Sequence, residues 1–119
     1  MSVKKASLTP RHIAKLIAGF ASDKKGEDIL VLDMRQKVNF CDYFVICSGN
    51  TNRHVRAIAD GIDEGLEKIG RKTRFQQGAQ QSLWVVLDLG DVIVHVFEKQ
   101  MREFYRLEYL WREAKKVKW

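Results

Sequence analysis

Hydrophobic and polar positions change period several times along this chain, and each change marks an element. After Thr9-Pro10, a capping residue followed by proline at the first helical position, Ile13, Leu16, Ile17 and Phe20 recur at helical spacing and predict a helix to about Ser22. Lys24-Lys25-Gly26 interrupts it. The apolar run between Asp28 and Asp33 then predicts a strand covered on both faces, and Asp42–Ser48 predicts a second, central strand. Ser48–Asn52 reads as a turn into a second helix, capped by Asn50 or Thr51, with Val55, Ile58, Ala59, Ile62, Leu66 and Ile69 as its apolar stripe and Gly70 as its stop. Gly61 and Gly65 lie inside that helix, where glycine costs roughly 1 kcal/mol relative to alanine, so a close approach of another element is expected there.

A short strand near Lys72–Gln76 and a Gln/Gly-rich loop lead to the most regular segment, Trp84–Phe97. It alternates so that a two-residue turn at Leu89-Gly90 would pair Trp84 with His95, Val86 with Ile93 and Asp88 with Asp91. One face of that hairpin is then wholly aliphatic, from Leu83, Val85, Leu87, Val92, Val94 and Val96. The other carries Trp84, Val86, Ile93, His95 and Phe97, with two carboxylates at the tip, a mixture unusual for a dry core and suited to docking. Lys99–Trp119 has helix-like spacing at Met101, Phe104, Tyr105, Leu107, Leu110 and Trp111, predicting one or two short helices and a basic tail. The order of elements fits a single-domain mixed α/β sheet with helices mainly on one face, leaving part of the other face available.

Composition narrows the function. The 119 residues suffice for one hydrophobic core, 45% hydrophobic and 30% charged residues describe a globular chain, and no apolar stretch is long enough to span a bilayer. Met1–Lys5 carries no apolar leader segment, so a cytoplasmic location is expected. Cys41 and Cys47 share strand parity and read as buried small hydrophobes; with His12, His54 and His95 scattered, no metal or cofactor is expected. The net charge is +6, yet Phe75–Glu98 contains no Lys or Arg and carries −3 from Asp88, Asp91 and Glu98, leaving +9 elsewhere. That distribution suits a basic protein partner at the hairpin, with nucleic acid beside the rest.

Catalytic motifs are weak. Ser48-Gly49-Asn50 has the place of a phosphate-binding turn, but the Walker ending and the dinucleotide fingerprint are absent, and an ordinary turn with a cap explains it. Asp88 and Asp91 are turn residues rather than a metal-holding pair. A nucleotidyltransferase-like enzyme using Ser48-Gly49, and a general RNA-binding module built on the basic surface, stand as the alternatives.

Three ordered motifs carry a resemblance: Cys47-Ser-Gly-Asn-Thr-Asn-Arg-His-Val-Arg-Ala-Ile-Ala-Asp60, the hairpin Trp84–Phe97, and Arg102-Glu-Phe-Tyr-Arg-Leu-Glu-Tyr-Leu-Trp111. Together they closely resemble the ribosomal silencing factor family, also called Iojap-like, over Asp28–Trp111. The resemblance implies a family domain over residues 1–114 followed by a basic tail at 115–119. It further implies a nucleotidyltransferase-like fold without the catalytic signature, and a translational repressor rather than an enzyme. Its implied partner is the fourteenth protein of the large ribosomal subunit, where the factor would keep the small subunit from joining when nutrients are scarce. Trp84 matches a partner-contacting family position. Hairpin geometry adds Val86, Asp88, Asp91, Ile93 and His95 as candidate contacts, with ribosomal RNA nearby and a homodimer expected in the free protein.

Overall fold

A computed structural model describes residues 8–119; the reading of Met1–Lys5 lies outside them. In chain order the elements are α1 (Pro10–Asp23), β1 (Glu27–Asp33), β2 (Tyr43–Gly49), α2 (Asn52–Lys68), β3 (Phe75–Gln77), β4 (Trp84–Asp88), β5 (Val92–Glu98), α3 (Lys99–Tyr105), α4 (Leu107–Leu110) and β6 (Lys115–Lys116). The six strands form one sheet in the order β3-β4-β5-β2-β1-β6. Only β2 and β5 run parallel; the other neighbours are antiparallel. The mixed α/β fold read from the sequence is therefore the observed one.

The central strand β2 is buried along its whole length, and its alternation sends Tyr43, Val45 and Cys47 one way and Phe44 and Ile46 the other. On the first side, α1 and α2 bring Ile13, Ile17, Ile58, Ile62 and Leu66 onto the sheet, together with the aliphatic face of the hairpin. Thr9 caps α1 by accepting from the His12 amide, and Thr51, not Asn50, caps α2 by accepting from the His54 amide. The close approach expected at the helical glycines is present. A Cβ on Gly65 would stand 2.5 Å from the Phe20 ring, and one on Gly61 2.6 Å from the Lys24 side chain.

The second side of the sheet holds a smaller cluster of Leu32, Met34, Cys41, Phe44, Ile46, Phe97 and Ala114, partly roofed by α3 and α4. Two expectations change here. Cys41 and Cys47 fall on opposite sides of the sheet, because β2 begins only at Tyr43 and strand parity does not reach back to Cys41. Burial pushes the Cys41 thiol up to about 11 and Cys47 up to about 12, so both stay protonated at neutral pH. The basic tail, in turn, joins the sheet. Lys115 and Lys116 pair with Asp33 and Leu32 of β1, Val117 is buried in the main core, and the Trp119 indole donates to the Ile29 carbonyl at 3.4 Å. Lys115, Lys116 and Lys118 stay exposed while Ala114 and Val117 are buried, and charged side chains on a short edge strand discourage pairing with another chain.

Gly65→Ala decides between two opposing effects. Alanine's helix propensity favours the variant by about 1 kcal/mol, whereas overpacking against Phe20 costs about 1–3 kcal/mol. The variant is expected to unfold at lower urea concentration than the parent protein; an unchanged or higher midpoint would show that the helices separate freely.

Candidate functional site

The hairpin that carries the candidate residues differs in register from the sequence reading. Trp84 pairs with Phe97, Val86 with His95 and Asp88 with Ile93, and the Leu89 amide donates to the Val92 carbonyl at 2.9 Å, so the two-residue turn is Gly90-Asp91. Gly90 has φ +93, which suits glycine as the first central residue of a tight hairpin turn, and its amide donates to Asp88 Oδ1 at 2.7 Å. The shift is two residues in pairing. Because side chains alternate with period two, both faces keep the composition read from the sequence.

Five candidates share the second side of the sheet, arranged in rows by strand pairing. Gln77, Val86, His95 and Ile46 form one row, and Phe75, Asp88, Ile93 and Phe44 the next. Trp84 and Phe97 form a third. Asp91 sits apart in the turn, where its carboxylate accepts from Arg71 Nη2 at 3.0 Å.

Exposure separates the roles within these rows. Trp84, Val86, Asp88 and Ile93 are half-buried, whereas His95 is buried. The Trp84 ring stacks on Phe97 at 4.7 Å between centroids and lies 4.8 Å from Tyr105 of α3. Its Nε1–H donates to His95 Nδ1 at 3.1 Å. That bond assigns the neutral tautomer with the proton on Nε2, and Nε2 is buried with no hydrogen-bond partner among the described residues. Burial lowers the His95 pKa to about 4, so the imidazole is neutral at physiological pH and holds the indole by accepting from it. His95 is thus a positioning residue behind Trp84 rather than an open contact.

The face expected to be free is therefore partly occupied. Its open portion lies on the β3–β4 side, where Phe75 is 55% exposed beside half-buried Asp88, Val86 and Trp84, with exposed Tyr105 at the margin. Phe75 and Tyr105 were not among the candidates. The first gave no signal because β3 is too short to show alternation, and the second because helical spacing alone does not reveal which face a short helix turns to the sheet. The hairpin carboxylates also make contacts within the fold. Asp91 pairs with Arg71, the Asp88 carboxylate accepts from the turn, and Glu98 caps α3 by accepting from the Gln100 and Met101 amides. Apolar and aromatic surface remains the stronger reason for docking.

The Ser48–Asn50 turn is filled from within. A Cβ on Gly49 would stand 2.9 Å from the Val55 amide nitrogen, the Asn50 amide donates to His54 Nδ1 at 3.1 Å, and His54 Nε2 bonds the Lys24 carbonyl at 2.9 Å. Glycine is needed there because the chain passes close to the start of α2. These contacts leave a turn and cap, not a phosphate cradle. Among the described residues no group of three or more His, Cys, Asp or Glu is placed to hold a metal ion.

Fold and geometry together define a small α/β domain with a half-open aromatic sheet face. A family profile described as "Ribosomal silencing factor during starvation" matches residues 7–119, and the chain belongs to that family. It is 42% identical over 107 residues to the ribosomal silencing factor RsfS of Bacillus subtilis, covering 90% of this chain and 91% of that one. It is 35% identical over 102 residues to the chloroplastic protein Iojap of Zea mays, covering 82% of this chain and 42% of that longer protein. A crystal structure of a Chromobacterium violaceum protein superposes with a TM-score of 0.86 at 30% identity, covering 94% of this chain and 92% of that one. The name ribosomal silencing factor describes a regulatory factor rather than an enzyme.

Buried His95 makes stability depend on pH. Its folded-state pKa of about 4 lies below the ordinary 6.5, so the unfolded chain binds the extra proton and stability falls as pH drops below 6.5 toward 4. Between pH 7 and 5 this group alone is expected to remove roughly 2 kcal/mol. Urea unfolding at the two pH values checks it: His95→Phe should show a clearly shallower decline than the parent protein, and equal declines would place the sensitivity elsewhere.

Proposed function

We propose that this chain represses translation by binding the large ribosomal subunit through its fourteenth ribosomal protein, so that the small subunit cannot join when nutrients are limiting. Family membership supports the class of action. The observation that carries its location is the half-open hairpin face, where Trp84, Val86, Asp88 and Ile93 stand side by side on a rigid sheet beside exposed Phe75. Such a surface buries well: indole and aliphatic groups lose water at little conformational cost, because Trp84 is already fixed by Phe97, Tyr105 and His95. Asp88 and Asp91 at the tip meet basic groups of the partner, Asp91 sharing its carboxylate with Arg71.

Blocking by this route is steric and needs no chemistry from the chain. A domain 40 Å in its longest dimension, seated on the face that the small subunit must approach, is large enough to keep the two apart. The +9 charge outside Phe75–Glu98 accommodates ribosomal RNA near the docking site. The protein acts in the cytoplasm, and none of the described helices is long and apolar enough to cross a membrane. In the free protein the same apolar face pairs with a second copy, giving a homodimer that competes with ribosome binding.

Trp84→Ala would confuse docking with folding, since it also removes the stack on Phe97 and the His95 bond. Val86→Lys places a charge on the open face and removes neither the stack nor the bond, although Val86 is the cross-strand neighbour of His95. It is expected to lower co-sedimentation with purified large subunits by at least about tenfold, corresponding to about 1.4 kcal/mol, while the urea midpoint stays close to that of the parent protein. Undiminished binding, or equal binding to subunits lacking the fourteenth protein, would overturn the assignment.

A further inference from the structure

A large cleft lies away from the open hairpin face, between β1, the end of β2 and the α3–α4 segment. Its volume is about 550 Å³, the size of a small-molecule site. Leu30, Leu32, Trp111 and Ala114 give it an apolar floor. Five cations, three carboxylates, Ser48 and Tyr109 complete the lining, and one of the carboxylates, Glu108, is committed to Arg102 by a 2.7 Å bond.

Three features bear on this lining, and the first two hold Arg102, Arg106 and Arg112 in place. Arg102 is 9% exposed; its Nε is bonded to Glu108, and its Nη1 donates to Ser48 Oγ at 2.7 Å and to the Glu27 carbonyl at 3.3 Å. Its Nη2 makes no hydrogen bond among the described residues. At the rim, the guanidiniums of Arg106 and Arg112 stand 5.0 and 4.4 Å from the centroid of the Tyr109 ring, which restricts both. Finally, Arg106 at φ 52 and Asp28 at φ 49 both hold left-handed backbone without being glycine, and both line this cleft. Uncommon backbone of this kind concentrates at functional sites.

Fork-shaped guanidiniums recognise phosphate oxygens, while an apolar floor beside an indole receives a flat ring. We infer that this cleft binds a nucleotide, its ring on the Trp111 side of the floor and its phosphate between Arg106 and Arg112, with Arg102 at the base. The nucleotide comes either from the free pool or from an unpaired position in RNA. Both sources present the same ring and phosphate.

The full-length chain is titrated calorimetrically with AMP, adenosine, inorganic phosphate and a short single-stranded oligoadenylate, with the Trp111 indole followed by NMR and assigned through Trp111→Phe. Saturable AMP binding that shifts the Trp111 resonance, is much stronger than binding of adenosine or phosphate, and weakens on the order of tenfold in Arg106→Gln/Arg112→Gln supports the site and a free nucleotide. The same dependence seen with oligoadenylate alone supports the site and an RNA nucleotide. Absence of saturable binding, phosphate binding as tight as AMP, or an unaltered affinity in the double variant would overturn it. Both arginines are exposed and the urea midpoint of the double variant checks its fold, so a negative result is attributable to the cleft.

Discussion

The parallel pairing of β2 with β5 is the constraint on which the other parts depend. It places two buried strands side by side at the centre of the sheet, in register from Tyr43 with Val92 to Gly49 with Glu98. A parallel pair needs a crossover, and here α2 begins it before the chain returns through β3 and β4. Since α2 and α1 occupy one side, the Ile46 and His95 side is left to whatever the end of the chain can supply. Two short helices and a two-residue edge strand supply only a partial roof. The open hairpin face and the basic cleft are the two places where that roof is incomplete.

This incomplete second layer explains how a single chain combines rigidity with available apolar surface. Trp84 is not a loose side chain on a free sheet; it is clamped on three sides by Phe97, Tyr105 and His95. The neutral histidine behind it costs stability through burial and an unpartnered Nε2, and returns a fixed indole orientation. Ordering before contact lowers the entropic cost of the proposed association.

Much of this was legible in the sequence because its signals are local. The capping Thr9-Pro10 pair, the α2 stripe and the two-faced alternation of Trp84–Phe97 each follow from spacing alone. The two-residue register error left the faces intact for the same reason, since parity survives an even shift. What escaped was non-local. That Lys115–Lys116 adds to β1, that Tyr105 covers Trp84, that Arg71 reaches Asp91 and that Arg102 buries its charge against Glu108 and Ser48 all depend on pairings far apart in the chain. Charge counted along the sequence suggested an acidic hairpin; in three dimensions Asp91 is already paired with Arg71.

The most direct measurement places a photo-crosslinking amino acid at position 86, on the open hairpin face, and at position 116, on the far edge strand, and irradiates each protein with purified large ribosomal subunits. Docking through the hairpin predicts that position 86 crosslinks to the fourteenth ribosomal protein and that position 116 does not. Crosslinks from position 116 to that protein, with none from position 86, would contradict the account.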